Sequence, residues 1–182
     1  MTGFCGGIPS KTELGEVLLA ESSIDWDYGK WKPTKNVSKL YSRPEPVGIR
    51  NSKVHRIARK FVLSGIPNID ALNEKTAFLS SGEVMAVSAR LTPFASGSAV
   101  IGDPEIVSSV RDLNDAIGGV DMESFGFYYA CRHAHSAKPE FICVKSVADH
   151  CGPDKDDRLH AACSFASAFT ALQILALWDF QS

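Results

Sequence analysis

Two acidic residues stand out because each follows a segment typical of a buried strand. Glu123 comes just after the short apolar segment Gly118 to Asp121, and Asp149 follows the strand predicted around Val144. With the helix between them, the two segments form a unit of roughly the 30 residues that a strand–helix–strand element needs. The pattern therefore predicts that both carboxylates lie just beyond the carboxyl ends of two neighbouring parallel strands, where open α/β sheets bind ligands.

Two carboxyl groups at such an edge suit the cleavage of a glycosidic bond. That reaction passes through a sugar cation, and its leaving group must be protonated. One carboxylate can accept hydrogen bonds from ribose hydroxyls and stabilise the positive charge, while the other delivers a proton if its pKa is raised. Acids after strand ends also cap helices, and Glu123 opens one, so the spacing alone leaves catalysis and helix capping both open.

Other clusters of reactive residues are weaker candidates. His133 and His135 stand two apart at a predicted helix end, where they point to different faces, so no metal site is predicted. The neighbours Asp149, His150 and Cys151 do not converge without special geometry. Cys5, in a glycine turn, is a possible nucleophile, but a small buried thiol next to a ligand is the favoured interpretation.

The glycines near the start of the chain do not predict a cofactor. Gly3, Gly6 and Gly7 lack the spacing of a dinucleotide-binding fingerprint, and no acid follows at the expected distance. We therefore expect no cofactor. The aromatic group Trp26 to Trp31 is predicted to form a subunit contact, a lid or a local surface cluster.

Strand and helix signals alternate along the chain, which favours an α/β fold with a mostly parallel or mixed central sheet and helices on both faces. Lys, Ser and Pro dominate residues 31–46, which are predicted to form a long loop. Residues Met1–Gly7 are expected to be the end of a strand that runs into a glycine turn. Further strands are expected over Glu16–Ala20, Glu83–Leu91, Gly118–Asp121 and Phe141–Val144. Helices are expected to begin at Ser52, at Asp103–Pro104–Glu105, near Glu123 and at Asp156 or Asp157.

The composition is that of an ordinary globular domain. The 182 residues are 45% hydrophobic and 22% charged, and the formal net charge is −2, so no basic excess indicates nucleic-acid binding. No segment is apolar enough to predict a membrane span, and no secretory signal is recognised. The five cysteines show no disulfide framework, which indicates reduced thiols and a cytoplasmic location.

Four segments resemble motifs of the purine nucleoside phosphorylase and methylthioadenosine/S-adenosylhomocysteine nucleosidase superfamily, and they occur in the family's order. Residues 2–7, T-G-F-C-G-G, with L-G-E-V at 14–17, resemble T-G-x-A-G-G and L-G-D-V. Residues 96–101, S-G-S-A-V-I, resemble S-G-D-x-F-I. Residues 120–124, V-D-M-E-S, resemble V-E-M-E-A, and residues 144–149, V-K-S-V-A-D, resemble V-R-x-x-S-D. The resemblance covers nearly the whole chain and implies a nucleoside phosphorylase-like fold.

The resemblance also implies a role for each matching residue. Glu123 would bind the ribose hydroxyls, and Asp149 would face N7 of the purine and promote its departure. The other implied substrate-binding residues lie beside the sugar or line the base pocket: Phe4, Cys5, Gly6, Val100, Ile101, Asp121 and Met122. The implied partner is a small-molecule nucleoside.

Several positions depart from the family pattern. Val100 stands where an aromatic ring usually stacks on the base, Ala148 replaces a Ser, and Lys145 replaces an Arg. Phe4 occupies the position of a phosphate-binding Ser or Thr, and Met1 stands where the hexameric phosphorylases place an Arg. A phenyl ring cannot bind an anion, so hydrolysis is expected rather than phosphorolysis.

The family has further strands and helices before its glycine turn, including the water-activating carboxylate of the nucleosidases. Residues 1–182 are therefore expected to form a single domain that is the C-terminal portion of the full fold. Without those elements, sheet edges and apolar surface would be exposed. We expect this surface to be covered by homo-oligomerisation or by the rest of a longer chain. Three hypotheses follow: a nucleosidase, a non-catalytic nucleoside-binding module, or a phosphorylase.

Overall fold

A computed structural model of the chain describes residues 1–33, 38–42, 45–50, 52–83, 85, 87–135, 139–153 and 157–178. The described strands are β1 (Thr2–Gly7), β2 (Val17–Asp25), β3 (Gly29–Pro33), β4 (Ser38–Ser42), β5 (Val47–Gly48), β6 (Ala89–Ser96), β7 (Gly119–Asp121) and β8 (Val144–Asp149). The described helices are α1 (Lys53–Ser64), α2 (Ile69–Leu79), α3 (Pro104–Leu113), α4 (Ser124–Arg132) and α5 (His160–Ala176).

Six strands form a mixed sheet in the order β5-β2-β6-β7-β1-β8, and β8 also pairs with β2. Strands β2, β6, β7, β1 and β8 therefore form a closed ring. Pairs β1–β8, β2–β6 and β6–β7 are parallel, whereas β1–β7, β2–β5 and β2–β8 are antiparallel. The sheet is thus mixed rather than mostly parallel, and the α/β fold class is confirmed.

Strand β2 shows why helices cover both faces of this sheet. Its side chains alternate, as they do in any strand. Leu18 and Ala20 lie in the same buried cluster as Tyr128 of α4. Val17 and Leu19 face the other way, into a cluster with side chains of α1, α2 and α5. The first residues of β2 therefore belong to the buried interior on both sides, which explains the apolar run Val17–Ala20.

Tyr128 joins two parts of the sheet from within the core. Its side chain is fully buried. The hydroxyl group donates a hydrogen bond to the Ala20 carbonyl at 2.6 Å and accepts one from the Cys143 amide at 3.0 Å. Both backbone groups are buried away from water, so this one side chain satisfies them and holds α4 against the sheet.

The structure corrects several sequence-based expectations. The segment 31–46 is not simply a long loop: residues 29–33 and 38–42 form an antiparallel hairpin, and residues 34–37 and 43–44 lie outside the described residues. The strand expected over residues 83–91 begins only at Ala89 and runs to Ser96. The strand expected over residues 141–144 begins at Val144, because the preceding apolar residues pack into the core without joining the sheet.

The helix starts were predicted more accurately. Ser52 caps α1 by accepting a hydrogen bond from the His55 amide, and Asp103 caps α3 by accepting one from the Glu105 amide. Both predictions are confirmed because the capping side chain and the first buried residue of each helix are local signals. Helix α5 begins at His160, whereas residues 154–156, which include one predicted start, are outside the described part of the chain.

Strand β1, the first of the described strands, has a hydrogen-bonded neighbour on each side. This strand pairs with β7 at Gly6 and Gly7, and with β8 from Thr2 to Gly6. It therefore lies between two neighbours within the ring.

Among the helices of the described residues, none combines the length and apolar character needed to cross a membrane.

We expect Tyr128→Phe to lower the free energy of unfolding by about 2 kcal/mol, because it leaves a buried carbonyl and a buried amide without a partner. Urea denaturation of the variant and the wild type measures the change. Tyr129→Phe is the matched control, since the Tyr129 side chain is 51% exposed. Equal midpoints for the Tyr128 and Tyr129 variants would contradict the structural role of the hydroxyl group.

Candidate functional site

Gly6 lies at the point where the two predicted acids approach each other. On one side it pairs with Val120 of β7, and on the other with Asp149 of β8. Strands β7 and β8 are therefore not neighbours and are not parallel, contrary to the sequence-based expectation, because β1 lies between them. Glu123 follows β7 and Asp149 ends β8, so the closed ring still places both near Gly6.

A pocket of about 480 Å³, part of it open to solvent, lies beside Gly6. Eight of the nine residues expected at the site line it, and Asp149 lies just behind the wall that Gly6 forms. The lining residues are Phe4, Cys5, Gly6, Ala99, Val100, Ile101, Val120, Asp121, Met122, Glu123 and Cys151. Four separate segments of sequence thus meet at one cavity.

Lys145 places a buried positive charge beside the two acidic residues at one side of this pocket. Its Nζ atom lies 2.8 Å from Glu123 Oε2 and 3.5 Å from Asp121 Oδ2. Burial alone would lower the pKa of Lys145, but the hydrogen bond to Glu123 and the negative charge of Asp121 outweigh it, and the pKa is raised. The lysine therefore stays charged and holds the Glu123 carboxylate in place.

Asp121, rather than Glu123, caps helix α4. Its carboxylate accepts hydrogen bonds from the Ser124 amide at 3.2 Å and from the Ser124 hydroxyl at 2.7 Å. The Ser124 hydroxyl is in turn 2.7 Å from that of Ser23 on β2. Glu123 makes no side-chain capping bond, and its side chain is 58% exposed. The capping alternative for Glu123 is thereby removed, and its carboxylate faces the open pocket.

Asp149 is buried at the end of β8, with its carboxyl group toward Gly6. A side chain on Gly6 would bring its Cβ within 3.3 Å of Asp149 Oδ1 and would overlap the sulfur of Cys151. The Cys151 amide donates a hydrogen bond to Asp149 Oδ1 at 2.8 Å. His150 turns away from this group, and its Nε2 atom is 2.8 Å from the Thr12 carbonyl. Only a glycine at position 6 leaves room for the acid beside the pocket.

The cysteine in the glycine-rich strand is a packing residue. Cys5 is 3% exposed, and burial raises the pKa of its thiol well above the ordinary value. The nearby Asp121 carboxylate acts in the same direction. A thiol that keeps its proton is a poor nucleophile, which supports the interpretation as a small buried residue next to the pocket.

Phe4 lines the pocket at the position where the resemblance places a phosphate-binding hydroxyl. Its ring stacks on His160, the first residue of α5, with 3.9 Å between the ring centroids and 11° between the planes. Leu14 and Met85 pack against the same small cluster as Phe4. The phenyl ring fills this side of the pocket with apolar surface, which provides no hydrogen bond for an anion.

The side chains of Met122 and Val100 are available to a ligand. Met122 is 46% exposed and Val100 is 62% exposed, although both line the pocket. Ile101, by contrast, is 4% exposed and packs with Val107 and Ile117 beneath the turn. This side of the pocket is therefore apolar, and position 100 carries no aromatic ring.

The fold and these motifs define a member of a known family. A model of the phosphorylase superfamily matches residues 1–173, so the chain belongs to that superfamily. An uncharacterized protein of Sinorhizobium fredii, y4jS, is 31% identical over 174 residues, which are 94% of this chain and 41% of that protein. The ATP nucleosidase Cap17 of Escherichia coli is 25% identical over 186 residues, covering 96% of this chain and 35% of Cap17.

The chain spans less than half of the length of these two relatives. Among solved structures, the 5′-methylthioadenosine/S-adenosylhomocysteine nucleosidase of Neisseria meningitidis, in complex with methylthio-immucillin-A, superposes with a TM-score of 0.62 at 17% identity. The superposition covers 96% of this chain and 67% of the nucleosidase. At this identity the likeness shows a shared fold.

Sequence reasoning missed two contacts of the site. Lys145 was noted only as a departure from an Arg, yet it is the cation that binds Glu123. The His160 stack on Phe4 had no signal, because 156 positions separate the two rings. The contact between Lys145 and Glu123 could have been predicted, because a lysine in the middle of an apolar strand is a buried charge that requires a partner.

We expect Lys145→Met to lower the free energy of unfolding by about 3 kcal/mol, because it leaves the buried Asp121 carboxylate without its cation. The side chains of Lys145 and Asp121 are 6% and 2% exposed. Chemical denaturation measures the loss, and Lys145→Arg should retain most of the stability. Lys60→Met, on the exposed face of α1, is the control, and a Lys145→Met variant as stable as this control would contradict the ion pair's importance.

Proposed function

We propose that this chain carries the ribose- and base-binding part of a nucleosidase, which hydrolyses the N-glycosidic bond of a purine nucleoside or nucleoside thioether. One observation carries the proposal: Glu123 lines the pocket beside Gly6, and Asp149 lies directly behind Gly6, against the wall of the same pocket. The superfamily match over residues 1–173 supports cleavage of a glycosidic bond, and the likeness to the Cap17 and Neisseria nucleosidases supports hydrolysis.

The reaction divides between the two acids. Glu123 accepts hydrogen bonds from the ribose hydroxyls while Lys145 fixes its carboxylate, and its negative charge stabilises the sugar cation. The bond between C1′ and the base nitrogen breaks, and its electron pair goes to the purine. Asp149 supplies a proton to N7 of the leaving purine. Water adds to C1′ and loses a proton to solvent, and Asp149 regains a proton from solvent, so the products are the free base and the sugar.

The apolar surface of Phe4 favours water over phosphate as the nucleophile. An anion beside this residue would lose hydration without gaining a hydrogen bond from the side chain. Water is small and neutral and has no such cost. The stack with His160 keeps the phenyl ring in this orientation.

The relatives suggest which substrates to test first. Cap17 is named for its action on ATP, and the Neisseria enzyme for its action on methylthioadenosine and S-adenosylhomocysteine. The pocket has an apolar base side and an acidic ribose side, which suits an adenine nucleoside with either kind of 5′ substituent. Adenosine, inosine, methylthioadenosine, S-adenosylhomocysteine and ATP therefore form the test set.

A second candidate function is nucleoside binding without turnover. Val100 favours it, because a branched aliphatic side chain that is 62% exposed provides less stacking surface for a base than an aromatic ring does. Measurable binding of adenine or a nucleoside by the full-length protein, with no release of base, would distinguish this candidate from the enzyme.

We propose that the protein is cytoplasmic. We further propose that the chain acts as a homo-oligomer or as part of a longer chain. All five cysteines are free, which suits a reducing compartment. Large apolar side chains are exposed on two helices that pack against each other: Phe78 of α2 and Leu172 and Leu175 of α5. Exposed apolar side chains of this size are typical of a surface that another subunit or segment covers.

We expect Asp149→Asn to lower the rate of base release by about 10²- to 10⁴-fold, since it removes the group that protonates the purine. Product release from the test set by the full-length protein, followed by chromatography, measures the rate. Asp112→Asn is the control, because Asp112 is an exposed carboxylate on α3 away from the pocket. If the Asp149→Asn variant kept the wild-type rate of hydrolysis, the assignment of Asp149 as the proton donor would be wrong.

We also expect the rate of base release to be independent of inorganic phosphate, because Phe4 offers that anion no binding group. The assay compares phosphate-free buffer with phosphate and with sulfate at equal ionic strength. The sugar product should be free ribose or its 5′-substituted form, without a phosphate at C1′. A strict requirement for phosphate, with a sugar 1-phosphate as product, would establish a phosphorylase instead.

A further inference from the structure

The turn that carries the base side of the pocket is held by residues that follow β2. Strand β6 ends at Ser96, the chain turns through Gly97 and Ser98, and residues 99–101 then line the pocket. The end of β2 runs parallel to β6 here, with Asp25 paired to Ser96. The segment after β2 therefore lies directly against the turn.

Asp27 makes the strongest of these contacts. One carboxylate oxygen, Oδ2, accepts a hydrogen bond from the Ser98 amide at 2.8 Å and another from the Ser98 hydroxyl at 2.7 Å. Hydrogen bonds to an ionised carboxylate are stronger than those between neutral groups. Burial opposes the charge of Asp27, but these two bonds, together with a side-chain hydrogen bond to Asp25, outweigh it, and the pKa of Asp27 is lowered.

Backbone contacts hold the same turn from both sides. The Trp26 amide donates a hydrogen bond to the Ser96 carbonyl at 3.0 Å, and the Gly97 amide donates one to the Asp121 carbonyl at 3.1 Å. The turn is thereby connected to the strand that leads to Glu123. Its position relative to the ribose side of the pocket is set by hydrogen bonds on each flank.

Trp26 closes the turn from outside. A Cβ atom on Gly97 would overlap the Trp26 indole ring, so the ring lies directly on the glycine. The same ring packs against the buried cluster that contains Ile101 and Val107. Bulk at position 97 is excluded by this contact, and the indole supports the base-side residues from behind.

We propose that Asp27 is a positioning residue for base recognition: it holds the turn 96–98, and through it Val100 and Ile101, in the conformation that forms the base side of the pocket. The inference rests on the proposed function only in naming a purine base as the ligand. In this chain, a carboxylate from the end of β2 reaches a serine at the turn position where the family motif carries its own aspartate.

The test removes each partner of the hydrogen bond. Asp27→Ala, Ser98→Ala and the double variant are made in the full-length protein, with Asp112→Ala as the control for loss of an exposed carboxylate. Each single variant should weaken adenine binding about tenfold, as expected for loss of a charge-assisted hydrogen bond. The double variant should bind no more weakly than the Asp27 variant, since the two residues share one interaction.

Hydrogen exchange gives a measurement that does not depend on a ligand. Amides of residues 97–101 should exchange faster in both single variants than in the wild type, while the amides of β8 remain protected. If the enzyme turns over nucleosides, Asp27→Ala should raise KM and leave kcat nearly unchanged, because it affects base binding and not proton transfer. Asp27→Asn, which keeps an acceptor oxygen, should recover part of the loss.

The outcomes separate this inference from the proposed function. Unchanged exchange at residues 97–101 in both single variants would overturn the role of Asp27, whatever the protein binds. Faster exchange together with normal adenine affinity would also overturn it, because the turn would then not govern base binding. A wild type that binds no adenine would refute the base-recognition role and the proposed function together, whereas weaker adenine binding without any turnover would support Asp27 and count only against the enzyme.

Discussion

The arrangement of the site depends on one buried cation. The Lys145 ammonium group, on β8, contacts Asp121 at the end of β7 and Glu123 two residues further on. Asp121 caps α4, so the same charge holds the start of that helix and the carboxylate at the mouth of the pocket. Because Asp149 ends the strand that carries Lys145, the cation also fixes the spacing between the two acids. Charges in a buried environment hold their geometry well when each has its partner.

Local signals in the sequence predicted a large part of this structure. The caps at Ser52 and Asp103, the acids after β7 and β8, and the four family motifs all lie within short segments whose chemistry is readable without knowledge of the fold. The motifs placed eight pocket residues and the neighbouring Asp149 correctly in one region. Their individual roles toward a substrate stay predictions.

The features that sequence reasoning missed depend on contacts between distant segments. Strand directions were wrong because β1 inserts between β7 and β8, and no local pattern encodes that insertion. Helix α2 was not anticipated, and the structure gives a reason: Asn68 precedes it in a left-handed conformation and makes no side-chain capping bond. The contact between Asp27 and Ser98 joins residues 71 positions apart, so no local pattern in the turn indicated it.

The closed ring of strands has a mechanical consequence for any ligand. In an open sheet the two walls of a cleft can separate by a small change in twist, but here β7, β1 and β8 are joined to each other and, through β2 and β6, back to the start. This closed ring of strands resists widening, because hydrogen bonds between neighbouring strands would have to break. A ligand in the pocket therefore contacts the rigid ring on one side and, on the other, segments outside the ring, residues 99–101 and Cys151.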